Sequence, residues 1–95
     1  MARYVSLLKF TQQGVRSLKE SPVRAAAFCK AAEKAGVKVE AQLWTTGEYD
    51  GILILNGHDE TKVLATIAKL AALGNVQTQT LQAYDSTQFA AIVGK

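Results

Sequence analysis

Trp44-Thr45-Thr46-Gly47-Glu48-Tyr49-Asp50-Gly51 is the stretch on which the fold turns. The residues before it alternate from Val37 to Thr45. Val37, Val39, Ala41 and Leu43 point one way, and Lys38, Glu40, Gln42 and Trp44 the other. That period of two is a strand with one covered face and one polar face, on which Trp44 is the exception. Thr46-Gly47 reads as the turn of a β-hairpin, with glycine supplying a positive φ. The returning strand, Tyr49 to Asn56, carries Ile52-Leu53-Ile54-Leu55, apolar on both faces and so expected in the sheet interior. With a two-residue turn, Trp44 and Tyr49 would stand opposite one another, on the face of Lys38, Glu40 and Gln42.

Working outward, Tyr4 to Phe10 is a further strand with apolar residues on both faces, hence also interior. Val15 and Leu18 fit one turn of a short helix. Ser21-Pro22 then predicts a helix start, a hydroxyl cap followed by proline at the first helical position. Ala25, Phe28, Cys29 and Ala32 form its apolar stripe, and Gly36 ends it. Beyond the hairpin, Asp59 is placed to cap a second helix with Val63, Leu64, Ile67, Ala68 and Ala71 as its stripe and Gly74 as its stop. Val76 to Tyr84, rich in Thr and Gln, suits a sheet edge. Asp85 and Gln88 resemble a capping box before a short terminal helix bearing Phe89, Ile92 and Val93.

The order β-α-β-β-α-β with a small C-terminal helix predicts an α+β, ferredoxin-like fold with a four-stranded antiparallel sheet in the order 4-1-3-2. That topology makes the first and third strands interior, as their two apolar faces require. Two helices cover only one face of such a sheet. The other face would expose an apolar patch, which points to burial against a second copy of the chain.

Ninety-five residues are expected to form a single domain, residues 1–95. Hydrophobic residues make up 48% of the chain, which excludes a disordered composition. The 11 basic residues are scattered and the net charge is only +3, so no stripe for nucleic-acid phosphates forms. The lone cysteine, Cys29, excludes an internal disulfide and Cys-rich zinc patterns, and reads as a small buried hydrophobe. No signal peptide and no apolar run of about 18 residues appears, so a soluble cytoplasmic protein without a membrane partner is expected.

Thr46-Gly47-Glu48-Tyr49-Asp50 with its apolar strand resembles the signature of the GYD-domain proteins. Tyr4-Val5-Ser6-Leu7-Leu8-Lys9-Phe10-Thr11, Ser21-Pro22-x-Arg24-x-x-Ala27-Phe28, Leu43-Trp44-Thr45 and Leu73-Gly74-Asn75-Val76-x-Thr78-x-Thr80-Leu81 are similar to that family too, so the resemblance covers essentially the whole chain. It implies membership of the dimeric α+β barrel superfamily, in which two sheets pack face to face. That superfamily includes cofactor-independent monooxygenases, lactone isomerases and haem-degrading proteins, and also the ligand-sensing domains of leucine-responsive regulators. This chain is too short to hold the DNA-binding helix-turn-helix of the last group.

The chemistry-bearing residues are few. His58, the only histidine, fits a general base or a haem ligand, but stands alone in a turn. Asp50 is either a pocket carboxylate or an anchor for the hairpin backbone. Trp44 and Tyr49 are either one wall of a ligand pocket or anchors of an interface. No Ser-His-Asp arrangement, phosphate-cradling loop or metal-ligand spacing occurs, so no cofactor or metal is expected. The expected function is a homo-oligomeric structural or small-ligand-binding module, sensor-like and read as a non-enzyme. The alternative is a cofactor-independent monooxygenase or isomerase acting on a small aromatic or lactone substrate through Tyr49, Asp50, Trp44 and His58. That alternative requires a cavity between helices and sheet with at least two of these residues inside it.

Overall fold

A computed structural model describes residues 2–94. Its elements run β1 (Ala2–Phe10), α1 (Gln12–Arg16), a 3₁₀ turn (Leu18–Glu20), α2 (Ser21–Lys34), β2 (Lys38–Trp44), β3 (Gly51–Gly57), α3 (Glu60–Ala72), β4 (Val76–Ala83) and α4 (Ser86–Val93). The strands form one antiparallel sheet in the order β2-β3-β1-β4, the predicted 4-1-3-2 read from the other edge. The molecule measures 49 × 31 × 17 Å. Its thin dimension is what one sheet and one layer of helix give.

The capping signals act locally as the residue types dictate. The Asp59 carboxylate accepts from the Thr61 amide, and Asp85 and Gln88 form a reciprocal capping box. Gly36 and Gly74 close α2 and α3 at φ values of 82° and 84°, and Gly47 takes 102° in the hairpin loop. Ser21 departs from expectation. The 3₁₀ turn runs straight into α2, so Ser21 is already helical and makes no cap. Its hydroxyl instead accepts from the indole Nε1 of Trp44 at 3.0 Å.

The hairpin also differs from its two-residue reading. Trp44 pairs with Gly51, so residues 45–50 form a longer loop and β3 begins two residues later than expected. A β-bulge lies between Val39 and Ala41, with Glu40 the extra residue. A bulge inserts one residue without a partner and so reverses the in-and-out alternation beyond it. Val39 pairs with Leu55, whereas beyond the bulge Gln42 pairs with Leu53 and Trp44 with Gly51. Leu53 and Leu55 are buried beneath the helices. Gln42 and Trp44 therefore turn to the helix side, while Ala41 and Leu43 turn to the open side.

The packed core occupies one half of the helix side. Tyr4, Ala32, Val37, Leu53, Leu55, Val63 and Ile67 form it, with Phe28, Val39 and Leu70 at its margin. Ser6 is fully buried beside it and pairs its hydroxyl with Thr80 at 3.1 Å. The open side carries Val5, Leu7, Ile52 and Ile54, half-buried, with Leu43 and Leu81 exposed. Cys29 is half-buried at the edge of α2 instead of in its inner stripe, its thiol 3.7 Å from the Glu33 carboxylate.

Candidate functional site

A cavity of about 420 Å³ fills the other half of the helix side, between the sheet and the α2 and α3 helices. Its origin is compositional. Ser21, Ala25, Ala27, Ala31 and Gly51 line it, and these side chains are too small to fill the space beneath them. Phe10, Phe28, Leu53 and Leu70 supply an apolar wall. A volume in the range of about 300–1,000 Å³ with mostly apolar walls and a few placed polar groups is typical of small-molecule sites.

Polar groups enter from several elements. Gln42 donates through Nε2 to the Ala25 carbonyl at 2.8 Å, and Trp44 donates to Ser21, so β2 is tied to α2 along the rim. Trp44 remains 51% exposed, which puts its indole at the mouth and not in the interior. Arg24 of α2 lines the cavity, with Nη1 donating to the Ser17 carbonyl at 2.9 Å and to the Ser17 hydroxyl at 3.0 Å. Lys69 of α3 lines it from the opposite helix and is exposed. Sequence reasoning missed Arg24, Lys69, Ser21 and Gln42 as site residues. The available signal was the spacing of Ser21, Arg24 and Phe28 on one side of an alanine-rich helix.

Asp50 lines the same cavity, and its carboxylate is also engaged with the backbone. Oδ2 accepts the Phe10 amide at 2.8 Å, while the Asp50 amide donates to the Leu8 carbonyl at 2.8 Å and the Asp50 carbonyl accepts the Thr45 amide at 2.9 Å. These bonds fasten the hairpin loop to β1. Tyr49 lies on the other side of the sheet. Its hydroxyl donates to the Gln79 carboxamide at 2.7 Å and the Lys9 ammonium sits 5.5 Å from its ring centre, on the face of Leu7 and Lys9. The sheet thus separates Trp44 from Tyr49. His58 is exposed beyond the far end of β3. At about 3.3 Å per residue, the length of that strand puts it on the order of 25 Å from Asp50. Of the predicted candidates, Trp44 and Asp50 come together at the cavity, and Tyr49 and His58 do not. Among the described residues no cluster of three metal-ligating side chains occurs.

The open side has its own polar network. Glu40, pushed out by the bulge, accepts from Arg3 Nε at 3.0 Å and from Asn56 Nδ2 at 2.6 Å. The guanidinium beside it, with help from Asn56, holds the Glu40 carboxyl below its ordinary value despite the cost of partial burial. Burial and the neighbouring Glu33 push the Cys29 thiol up, away from the reactive thiolate.

The sequence profile of the GYD domain family matches residues 4–93. The chain belongs to the GYD domain family. A relative from Thermus thermophilus, described as a glutamine synthetase and cystathionine β-lyase binding protein, is 31% identical over 84 residues, spanning 87% of this chain and 88% of that protein. Among solved structures, a homoserine dehydrogenase from Thiobacillus denitrificans superposes with a TM-score of 0.57 at 23% identity, over 88% of this chain. The GYD chain spans only 17% of that enzyme's length, and at this identity the likeness concerns the fold alone. No helix among the described residues is long and apolar enough to cross a membrane.

Proposed function

We propose that this GYD protein is a homo-oligomeric binding module that holds a small molecule in the cavity between its helices and its sheet. The cavity carries the reading: about 420 Å³ of space with apolar walls and a rim of Trp44, Arg24, Asp50 and Lys69. A monomer gains nothing in stability from such a void, because unfilled space forfeits packing contacts. The half-buried Val5, Leu7, Ile52 and Ile54 on the opposite face support self-association through the open sheet, with both copies keeping their helix-side cavities outward. A thermal-shift screen against small metabolites tests the ligand. Some class of compound raises the melting temperature of the wild type, and Ala25→Phe, which fills the cavity, removes the shift. A panel-wide absence of shifts, or shifts that survive Ala25→Phe, contradicts the reading.

A second reading is favoured by α4 together with the Thermus relative. Phe89, Ile92 and Val93 are 56%, 53% and 63% exposed, so the apolar residues of this helix are left uncovered by the other described residues. A short helix with such a face suits docking onto a protein. On this reading the chain binds glutamine synthetase or cystathionine β-lyase, the two enzymes in the relative's description. Native mass spectrometry with purified glutamine synthetase and cystathionine β-lyase should then detect a complex that Phe89→Ser weakens. No complex with either enzyme removes this version.

A further inference from the structure

The cavity's charges discriminate among ligands, and the inference drawn from them rests on the cavity being a ligand site. Arg24 lines it from α2 and Lys69 from α3. Neither has an acidic partner among the described residues, where both ion pairs belong to Arg3. The hydrogen bonds of Arg24 run from Nη1 to Ser17. They fix the guanidinium in place without neutralising it, and leave its other donors available.

Among the described residues the only acid in the lining is Asp50, and one of its oxygens is committed to the Phe10 amide. Two cations against one carboxylate leave the lining at +1. The walls between them, Phe28, Leu53 and Leu70, are apolar. A ligand that matches this site has an apolar body and a single negative charge at one end. A neutral ligand would leave Arg24 unmatched beside an apolar wall, and a cationic one would add to the positive excess.

We propose that the cavity takes an amphipathic monocarboxylate, its apolar body against Phe28, Leu53 and Leu70 and its carboxylate held between Arg24 and Lys69. Arginine's planar fork suits bidentate recognition of a carboxylate, and Lys69 at the rim adds a mobile point charge.

Isothermal titration with octanoate, octan-1-ol and octylamine, which share one tail and differ in head group, tests the assignment. Octanoate should bind at least about tenfold more tightly than octan-1-ol, the size of a charge-assisted hydrogen bond, and octylamine more weakly still. Lys69→Met and Arg24→Met should each bring octanoate binding close to that of octan-1-ol. Lys69 is exposed, so its variant keeps the wild-type melting temperature without ligand and separates recognition from folding. Equal binding of octanoate and octan-1-ol, blocked by Ala25→Phe, overturns the carboxylate assignment while leaving the cavity a ligand site. Tightest binding of octylamine overturns it in favour of a cation read by Asp50. Failure of all three probes to bind overturns it too, and the metabolite screen then decides separately whether the cavity binds anything.

Discussion

Asp50 joins two roles in one side chain. It faces the cavity, yet its Oδ2 satisfies the Phe10 amide where the pairing of β1 with β3 has ended. Removing the acceptor strands a partly buried donor, so Asp50→Ala should destabilise the fold by about 1–3 kcal/mol in urea titration. Asp50→Asn keeps a carbonyl oxygen for the same bond and should recover most of that loss. Equal loss in both would assign the effect to charge instead. Glu40 offers a test in pH. Its folded pKa lies below its ordinary 4.5, so the unfolded chain binds its proton more readily. The stabilisation from Arg3 is therefore complete above that ordinary value and is lost as pH falls through the lowered folded value. Glu40→Gln should lower the melting temperature at neutral pH and flatten its decline on acidification, measured by scanning calorimetry from pH 7 down to about pH 3. A parallel decline in the two proteins would contradict the pairing.

The elements were legible in the sequence wherever one residue type had one job. Gly36, Gly74, Asp59 and the Asp85–Gln88 box each marked a helix end through a local backbone requirement. What was hidden was set by tertiary context. Nothing in Val37 to Trp44 announces that Glu40 lacks a partner, because a bulge is a relation between strands. The misplaced Trp44 on the expected polar face was its one trace, and the bulge explains it by turning the indole toward Ser21. The cavity was hidden for a related reason: alanines at Ala25, Ala27 and Ala31 read as helix formers, and only the placement of α2 over the sheet turns their small size into empty volume. The terminal helix, predicted correctly, has its apolar residues outside. Replacing Phe89 and Ile92 by serine should therefore change unfolding free energy by no more than about 0.5 kcal/mol, the usual range for surface positions. A larger loss in the same urea titration would mean that α4 is packed in solution, against its own chain or another copy.

At the scale of the whole molecule, the sheet divides two tasks. One side holds the core and the cavity. The other presents Val5, Leu7, Ile52 and Ile54, framed by Arg3, Glu40, Lys38, Lys9 and Tyr49. An apolar centre with a polar rim is how a protein interface is built. Ile54→Lys at its middle should convert the proposed oligomer to monomer in size exclusion with light scattering, since an unpaired charge at a buried interface is strongly disfavoured. A monomeric wild type would leave this face without the second copy proposed for it.

The claim that the helix-side cavity is a ligand site has a built-in reporter, because the chain's one tryptophan stands at the cavity mouth. The direct measurement is a titration of Trp44 emission with each compound that raises the melting temperature. The account predicts a saturable change that tracks the thermal shift in concentration and disappears in Ala25→Phe. A compound that stabilises the protein while leaving Trp44 emission unchanged would place the ligand elsewhere and contradict it.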